Sequence, residues 1–222
     1  MKCNTMLMLA ALTSSAAALA TERAIVVPAK VQTSWEFVAP GTGARLRPHL
    51  GVGFWQRGSG AKPGVGANYV SALEYQLPEA APARIRSASF QFSGRPSQCV
   101  GAEPVVIEVS AYAADGRADA ADAHAGSRVA QLSAQCGDNA AFSRPIDVTA
   151  VVRQLSVASG VRHVGFNIRT ANNRQGPGLF ELSPGKLTIV IADEATAYGA
   201  KSGSPAPAAH AQPTTLKFRM SP

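Results

Sequence analysis

The sequence predicts an all-β sandwich built from antiparallel strands. Three observations carry this prediction. Apolar and polar residues alternate in several short segments, turn-forming residues separate those segments, and a single stretch shows helical spacing instead. Short strands divided by Gly, Pro, Asn and Ser are typical of sandwiches and barrels, not of folds that alternate strands with helices.

The alternation is clearest where aromatic residues share one face of a predicted strand. In residues 69–77, Tyr69 and Tyr75 lie on the predicted core face, and Glu74 points away from it. The run 187–192 is apolar at every position but Thr188, which predicts a strand covered on both faces. The other clear strands are residues 84–94, 105–112 and 163–169, and weaker candidates are residues 24–27, 33–38, 50–55, 128–132 and 141–146.

One segment has the spacing of a helix. Its apolar side chains recur at i, i+3, i+4 and i+7, and they are Val148, Val151, Val152 and Leu155. Asp147 or Thr149 can serve as the N-cap and Gly160 as the C-cap. We expect a helix of about two or three turns, packed over one end of the sandwich.

The two ends of the chain differ in composition from the predicted sandwich. Residues 1–20 combine Lys2, a short apolar run and small residues ending at Ala20, as signal peptides do. We therefore expect cleavage after Ala20 and a secreted or periplasmic protein without a transmembrane segment. The sandwich domain should span residues 21–194. Residues 195–222 are rich in Ala, Pro, Ser and Gly, which predicts a disordered tail, and the glycine-rich residues 51–66 predict an irregular loop.

The cysteines suit an oxidising compartment. Loss of the signal segment would remove Cys3 and leave Cys99 and Cys136. An even pair in an exported protein predicts a disulfide, and no histidine completes a zinc-like spacing with the two. The bridge would close the loop between Cys99 and Cys136. By lowering the entropy of the unfolded chain, it would stabilise the folded protein by about 3–4 kcal/mol.

The basic charge does not indicate nucleic-acid binding. The chain has a formal net charge of +7, yet its basic residues are scattered and no run of five or more occurs. Dispersed charge of this kind indicates a role in solubility alone. The alternative is that the basic surface binds acidic polysaccharide or anionic lipid.

Three segments resemble the DNRLRE-type jelly-roll domains of secreted bacterial proteins. They are ALEYQLPEAAPARIRSASFQF (residues 72–92), IDVTAVVRQL (residues 146–155) and GLFELSPGKLTIVI (residues 178–191). The resemblance implies a jelly-roll-like sandwich and a binding or surface module, in some members for acidic polysaccharide. It does not imply an enzyme. The glycine-rich segment with Phe54 and Trp55 departs from the family's turn after its first strand.

No catalytic group can be assigned from the sequence. A nucleophile elbow of the form G-x-S-x-G is absent, and glutamates on predicted strands should face outward. For ligand binding, the best candidates are Trp55, Arg57 and Lys62, because an aromatic ring beside cations suits a sugar, although a packed Trp55 is the alternative. For metal, the carboxylates that would suit calcium are Asp115, Asp119 and Asp122, without the spacing of an EF-hand loop.

These observations favour a non-catalytic module of the cell envelope or extracellular space whose partner is a polysaccharide or another cell-surface component. A structural or adhesive surface protein without a small ligand is the first alternative. A hydrolase of unrecognised type is the second. No cofactor is expected apart from the calcium considered above, and the sequence leaves the oligomeric state open.

Overall fold

In the computed structural model, antiparallel strands dominate and one short α-helix accompanies them. The strands are β1 (Glu22–Val27), β2 (Ala29–Val38), β3 (Ala44–Arg47), β4 (Gly51–Gln56), β5 (Gly66–Gln76), β6 (Ile85–Cys99), β7 (Val105–Ala114), β8 (Ser127–Ala134), β9 (Phe142–Asp147), β10 (His163–Thr170), β11 (Gly178–Leu182) and β12 (Lys186–Ala192), and the helix is α1 (Thr149–Val157). The structure describes residues 21–38, 43–56, 66–99, 104–136, 142–171 and 178–193.

All strand pairs of this part of the chain are antiparallel, and they form one curled sheet. The hydrogen-bonded order is β1-β12-β6-β11-β4-β5-β10-β7-β8, with β9 beside β6, β2 beside β5 and β3 beside β2. Phe90 of β6 stacks on Phe166 of β10 with ring centroids 4.3 Å apart, although the two strands do not pair. The two halves of the sheet therefore face each other across a core, which confirms the all-β, jelly-roll-like sandwich.

The core faces follow the predicted alternation. Val164, Phe166 and Ile168 of β10 are fully buried. In β12, Leu187 and Ile189 are fully buried, whereas the intervening side chains are half-buried. The sequence predicts cover on both faces of β12, and the structure shows full cover on the inner face and partial cover on the outer one.

Strand β4 occupies the first part of the segment predicted to be an irregular loop. It pairs with β11 on one side and β5 on the other, and so connects the two halves of the sheet. A Cβ atom at Gly53 would lie 2.0 Å from the carbonyl oxygen of Gly178. The glycine thus permits a strand here, because it lets β4 approach β11 closely. Residues 57–65 of the segment lie outside the described residues.

The outer face of the β2-β5-β10-β7 layer is also covered. The segment between β7 and β8 crosses this face and buries Ala123 against Trp35, Val70 and Ala72 in a second small apolar cluster. The Asn167 side chain holds the segment in place by donating a hydrogen bond to the carbonyl oxygen of Asp122, at 3.0 Å. A face predicted to be solvated is therefore largely an interior one.

Helix α1 lies where the sequence predicts it. Val152 is fully buried. The N-cap residue is Val148 and not the predicted Asp147 or Thr149, although Asp147 accepts a hydrogen bond from the Thr149 backbone N–H at 2.9 Å. The Thr149 hydroxyl accepts a hydrogen bond from the Ala88 N–H, also at 2.9 Å, which ties the start of the helix to β6. The C-cap residue is Ala158, and the predicted C-cap Gly160, with a positive φ of 80°, lies in the turn that follows the helix.

Two predicted segments, the signal peptide at residues 1–20 and the tail at residues 195–222, lie outside the described residues. In the part of the chain that the structure describes, no helix combines the length and apolar character that a membrane crossing requires.

Candidate functional site

A groove opens where β4 and β11 connect the two halves of the sheet. It consists of two adjoining pockets of about 330 and 510 Å³, which share Arg47, His49, Leu50 and Glu181. We call the pair the junction groove. Both volumes fall within the range of about 300–1,000 Å³ that is typical of ligand sites. Side chains from six strands line the smaller pocket, and they include Glu36, Arg47, Trp55, Tyr69, Gln98 and Glu181.

Two half-buried aromatic rings give this groove its apolar surface. Trp55 lies on β4 and Tyr69 on the neighbouring β5, and both line the smaller pocket. The guanidinium carbon of Arg47 lies 5.7 Å from the centroid of the Tyr69 ring, a distance within reach of a cation–π contact. The groove therefore presents ring faces and a planar cation side by side.

The charged groups of the junction groove are paired with one another. Glu36 is 3% exposed, and its Oε2 lies 3.3 Å from Nη1 of Arg47. At the other side, Nη2 and Nε of Arg95 donate to Oε2 of Glu181 at 2.8 and 3.2 Å. A buried carboxylate needs such a partner. The two pairs place planar hydrogen-bond donors (the arginines) and acceptors (the glutamates) beside the aromatic rings. Their positive and negative charges balance.

Buried serine hydroxyls hold β4 in the position that places Trp55 in the groove. Ser71 of β5 accepts a hydrogen bond from the Gly51 N–H at 2.9 Å and donates to the Gly51 carbonyl at 2.8 Å. Ser34 of β2 donates to the Val70 carbonyl at 3.0 Å. These bonds satisfy backbone groups of Gly51 and Val70 at the point where β4 separates from β5. The start of β4 therefore stays in place without strand-to-strand hydrogen bonds to β5.

Of the three residues predicted to bind ligand, Trp55 lines the groove, while Arg57 and Lys62 lie outside the described residues. Sequence reasoning assigned Tyr69 to the core face, and Tyr69 does share that face of β5 with the buried Leu73 and Tyr75, but it is half-buried because it lines the groove. Arg47 and Glu36 were missed altogether, and Glu181 was considered only as a strand glutamate that should face outward. Short strands distant in sequence bring them together, so no local spacing could have identified them.

The predicted calcium ligands are occupied with backbone hydrogen bonds. Asp115 Oδ1 accepts from the Arg117 N–H at 2.9 Å. Asp119 Oδ1 accepts from the Ala121 N–H at 2.7 Å, and Asp122 Oδ2 accepts from the Asp119 N–H at 2.9 Å. This reciprocal pattern resembles a capping box. Across the described ranges, no three His, Cys, Asp or Glu side chains are grouped so that they could hold a metal ion.

Glu74 corrects the expectation that strand glutamates face outward. It is fully buried beneath the segment that follows β7. Its Oε1 accepts a hydrogen bond from the Tyr112 hydroxyl at 3.1 Å, and its Oε2 accepts one from the Gly116 N–H at 2.8 Å. Burial raises the pKa of this carboxyl, and the two hydrogen bonds only partly oppose the shift.

A glycine makes the contact between Tyr112 and Glu74 sterically feasible. Gly165 of β10 lies between them in the register and pairs with both. A Cβ atom at Gly165 would lie 2.2 Å from Cζ of the Tyr112 ring. The tyrosine therefore lies flat across β10 and reaches the carboxylate of β5. The arrangement anchors the covering segment to the sheet.

Cys99 and Cys136 stand near the same end of the sheet. Cys99 ends β6, and Cys136 follows β8, whose end pairs with the start of β7. The side chain of Cys99 lies outside the described residues, so the predicted disulfide stays a prediction.

Comparisons with known proteins do not assign a family. The sequence matches no protein-family model and no curated protein. Among solved structures, the chain is similar to one titled "Structure of infectious bursal disease virus Gx strain", with 10% sequence identity and a TM-score of 0.30. The match covers 78% of this chain and 34% of the viral chain, so this chain spans about a third of that protein. A similarity this low supports no functional conclusion.

Proposed function

We propose that the chain is a non-catalytic module of the cell envelope or extracellular space, and that its junction groove binds a polysaccharide. The observation that carries the proposal is the meeting of Trp55 and Tyr69 with two Arg–Glu pairs in one open groove. Sugar rings have apolar faces that stack on aromatic rings, and their hydroxyls bind to planar polar groups at the edges.

The shape and charge of the groove narrow the ligand class. Two adjoining open pockets suit an extended chain of sugars better than one compact molecule. Arg47 is paired with Glu36 and Arg95 with Glu181, so these groups concentrate no charge of one sign. This balance favours a neutral polysaccharide over an acidic one.

Pull-down by insoluble neutral polysaccharides, together with a glycan array, tests the proposal. The mature protein should bind at least one neutral glycan, and Trp55→Ala and Tyr69→Ala should each weaken that binding by about tenfold, which corresponds to about 1.4 kcal/mol. Lys186→Ala is the matched control, because Lys186 is exposed on the other half of the sheet. Unchanged melting temperatures would show that the variants are folded.

Two results would contradict the proposal. Absence of binding to every glycan would favour the adhesive or structural alternative. Full binding by Trp55→Ala and Tyr69→Ala would mean that the junction groove is not the site. Chelation by EDTA should leave binding unchanged, because the candidate calcium ligands hold backbone groups.

A hydrolase is the second candidate, and one observation favours it. Glu36 and Glu181 line the same pocket, and glycoside hydrolases use two carboxylates. Each glutamate, however, is already held by an arginine. We expect no release of reducing ends from any bound polysaccharide. Release that Glu36→Gln and Glu181→Gln both abolish would overturn the non-catalytic proposal.

Export, the disulfide and the family resemblance belong to the same proposal. The two cysteines stand near one end of the sheet, which supports a Cys99–Cys136 bridge. The three motifs of the DNRLRE-type family lie in β5 and β6, in the entry to α1, and in β11 and β12. Mass spectrometry of the exported, non-reduced protein should find a chain that begins after Ala20 and is two hydrogens lighter than the dithiol form.

A further inference from the structure

Strands β2 and β5 present a second groove on the face opposite the junction groove. Glu36 pairs with Tyr69 in the register, and the next pair is Phe37 with Asn68. Successive residues of a strand point to opposite faces of its sheet. Glu36 and Tyr69 line the junction groove, whereas Phe37 and Asn68 line a separate pocket of about 450 Å³, which we call the outer groove.

The outer groove has an aromatic surface of its own. Phe37 is half-buried and the imidazole of His124 is exposed, and their ring centroids are 5.1 Å apart at an interplanar angle of 53°. His124 belongs to the segment that covers the sheet, while Phe37 belongs to the sheet itself. Two tilted rings at the wall of an open pocket offer a ring face to an apolar sugar face.

A buried acceptor in the outer groove lacks a partner. Oδ1 of Asn68 is buried and makes no hydrogen bond within the described part of the chain, although Asn68 lines the pocket. Buried polar atoms are nearly always hydrogen-bonded, because desolvation without compensation is costly. Because this oxygen is inaccessible to solvent, a hydroxyl group of a bound ligand can reach it only when a side chain of the pocket wall moves.

An ion-pair network supplies charged groups at the side of the same groove. Glu108 lies 3.0 Å from Nη1 of Arg128 and 3.6 Å from Nε of Arg169, and Glu108 and Arg169 both line the pocket. The guanidinium group of Arg169 has five N–H donors in a planar arrangement, and Glu108 holds this group in place. The groove therefore combines two aromatic rings with a fixed planar donor, and the unpaired acceptor lies behind its wall.

We propose that the outer groove is a second saccharide-binding site, which makes the module bivalent. This inference rests on the proposed function of the junction groove, because the two sites would bind segments of the same class of polysaccharide on opposite faces of β2 and β5. A bivalent monomer can bridge two polysaccharide chains, whereas a single-site module can only coat one.

Calorimetric titration with neutral hexasaccharides of β-1,4-glucan, β-1,4-xylan and α-1,4-glucan tests the inference. At least one of the three should bind the mature protein with a stoichiometry of two. Trp55→Ala should reduce to one the number of sites that bind with the wild-type affinity, as should Phe37→Leu combined with His124→Ala, and all three substitutions together should leave none. Lys186→Ala should leave the stoichiometry at two.

The outcomes separate this inference from the proposed function. A single binding site that Trp55→Ala removes, and that the outer-groove variant leaves unchanged, would overturn the second site only. No binding of any hexasaccharide, together with no binding to any glycan of the array, would overturn both. If Phe37→Leu lowers the melting temperature markedly, His124→Ala alone replaces the double variant, because the His124 side chain is exposed. His124→Ala should weaken binding at one site by about fivefold or more.

Bridging gives an independent readout. We expect the wild-type protein to bridge a long polysaccharide that contains the bound hexasaccharide sequence. The polysaccharide should then precipitate, or its solution should become more viscous. Either single-groove variant should bind the same polymer without precipitating it. Precipitation that survives loss of the outer groove would contradict bivalency within one chain.

Discussion

The contact between Tyr112 and Glu74 provides the sharpest test of how the covering segment is held. The substitution Tyr112→Phe removes one hydroxyl and leaves the ring in place above Gly165. Glu74 is fully buried, so no solvent can replace the lost donor at Oε1. Its other oxygen keeps the hydrogen bond from Gly116.

The expected loss follows from this geometry. Removing one partner of a buried acceptor costs about 1–3 kcal/mol. In a protein of this size, each kcal/mol lowers the melting temperature by about 2–4 °C, so Tyr112→Phe should lower it by about 2–12 °C.

Thermal and urea denaturation provide the assay, and Tyr75→Phe is the matched control. The hydroxyl of Tyr75 is buried but has no hydrogen-bond partner in the part of the chain that is described. Its removal should therefore leave stability unchanged or slightly increase it. In a double-mutant cycle with Glu74→Leu, whose side chain has no acceptor, the Tyr112 substitution should cost clearly less than it does in the wild type. Equal effects of Tyr112→Phe and Tyr75→Phe, or additivity in the cycle, would refute the reasoning.

Two further predictions concern pH and the core. Because burial raises the pKa of Glu74 above its ordinary 4.5, Glu74 contributes stability while it is protonated, and this contribution is lost as the pH rises through its raised folded pKa. The stability of the wild type relative to Glu74→Gln should thus fall as the pH is raised above 4.5 in urea titrations, and a constant difference would contradict the assignment. Phe166→Ala should destabilise the protein by about 3–5 kcal/mol, because the ring is fully buried and stacked on Phe90. A loss below about 1 kcal/mol would mean that the two halves of the sheet are not packed through this pair.

Local patterns were enough to predict most of the fold. The alternation of Val164, Phe166 and Ile168 identifies the core face of β10, because neighbouring residues of a strand point to opposite sides whatever the topology. The spacing of the valines around Val152 identifies α1 for the same reason, since one face of a helix is set by its own periodicity. In both segments the physical cause is contained within a few consecutive residues.

The candidate site depended on the tertiary structure. Tyr69 has the parity of a core residue, yet it lines a groove because β4 leaves β5 there and joins β11. Glu74 has the pattern of a solvent-facing residue, yet it is buried because a distant segment covers the sheet and supplies the Gly116 N–H.

By itself, the sequence determined the all-β class, the main strands and the short helix, since these depend on the alternation of apolar and polar residues along the chain. Only the tertiary structure decided which strands are neighbours, which face is covered, and that Trp55 shares a groove with Arg47 and Glu36. Such contacts join residues far apart in sequence, and their energies depend on the packing of the whole sheet. No local pattern contains that information.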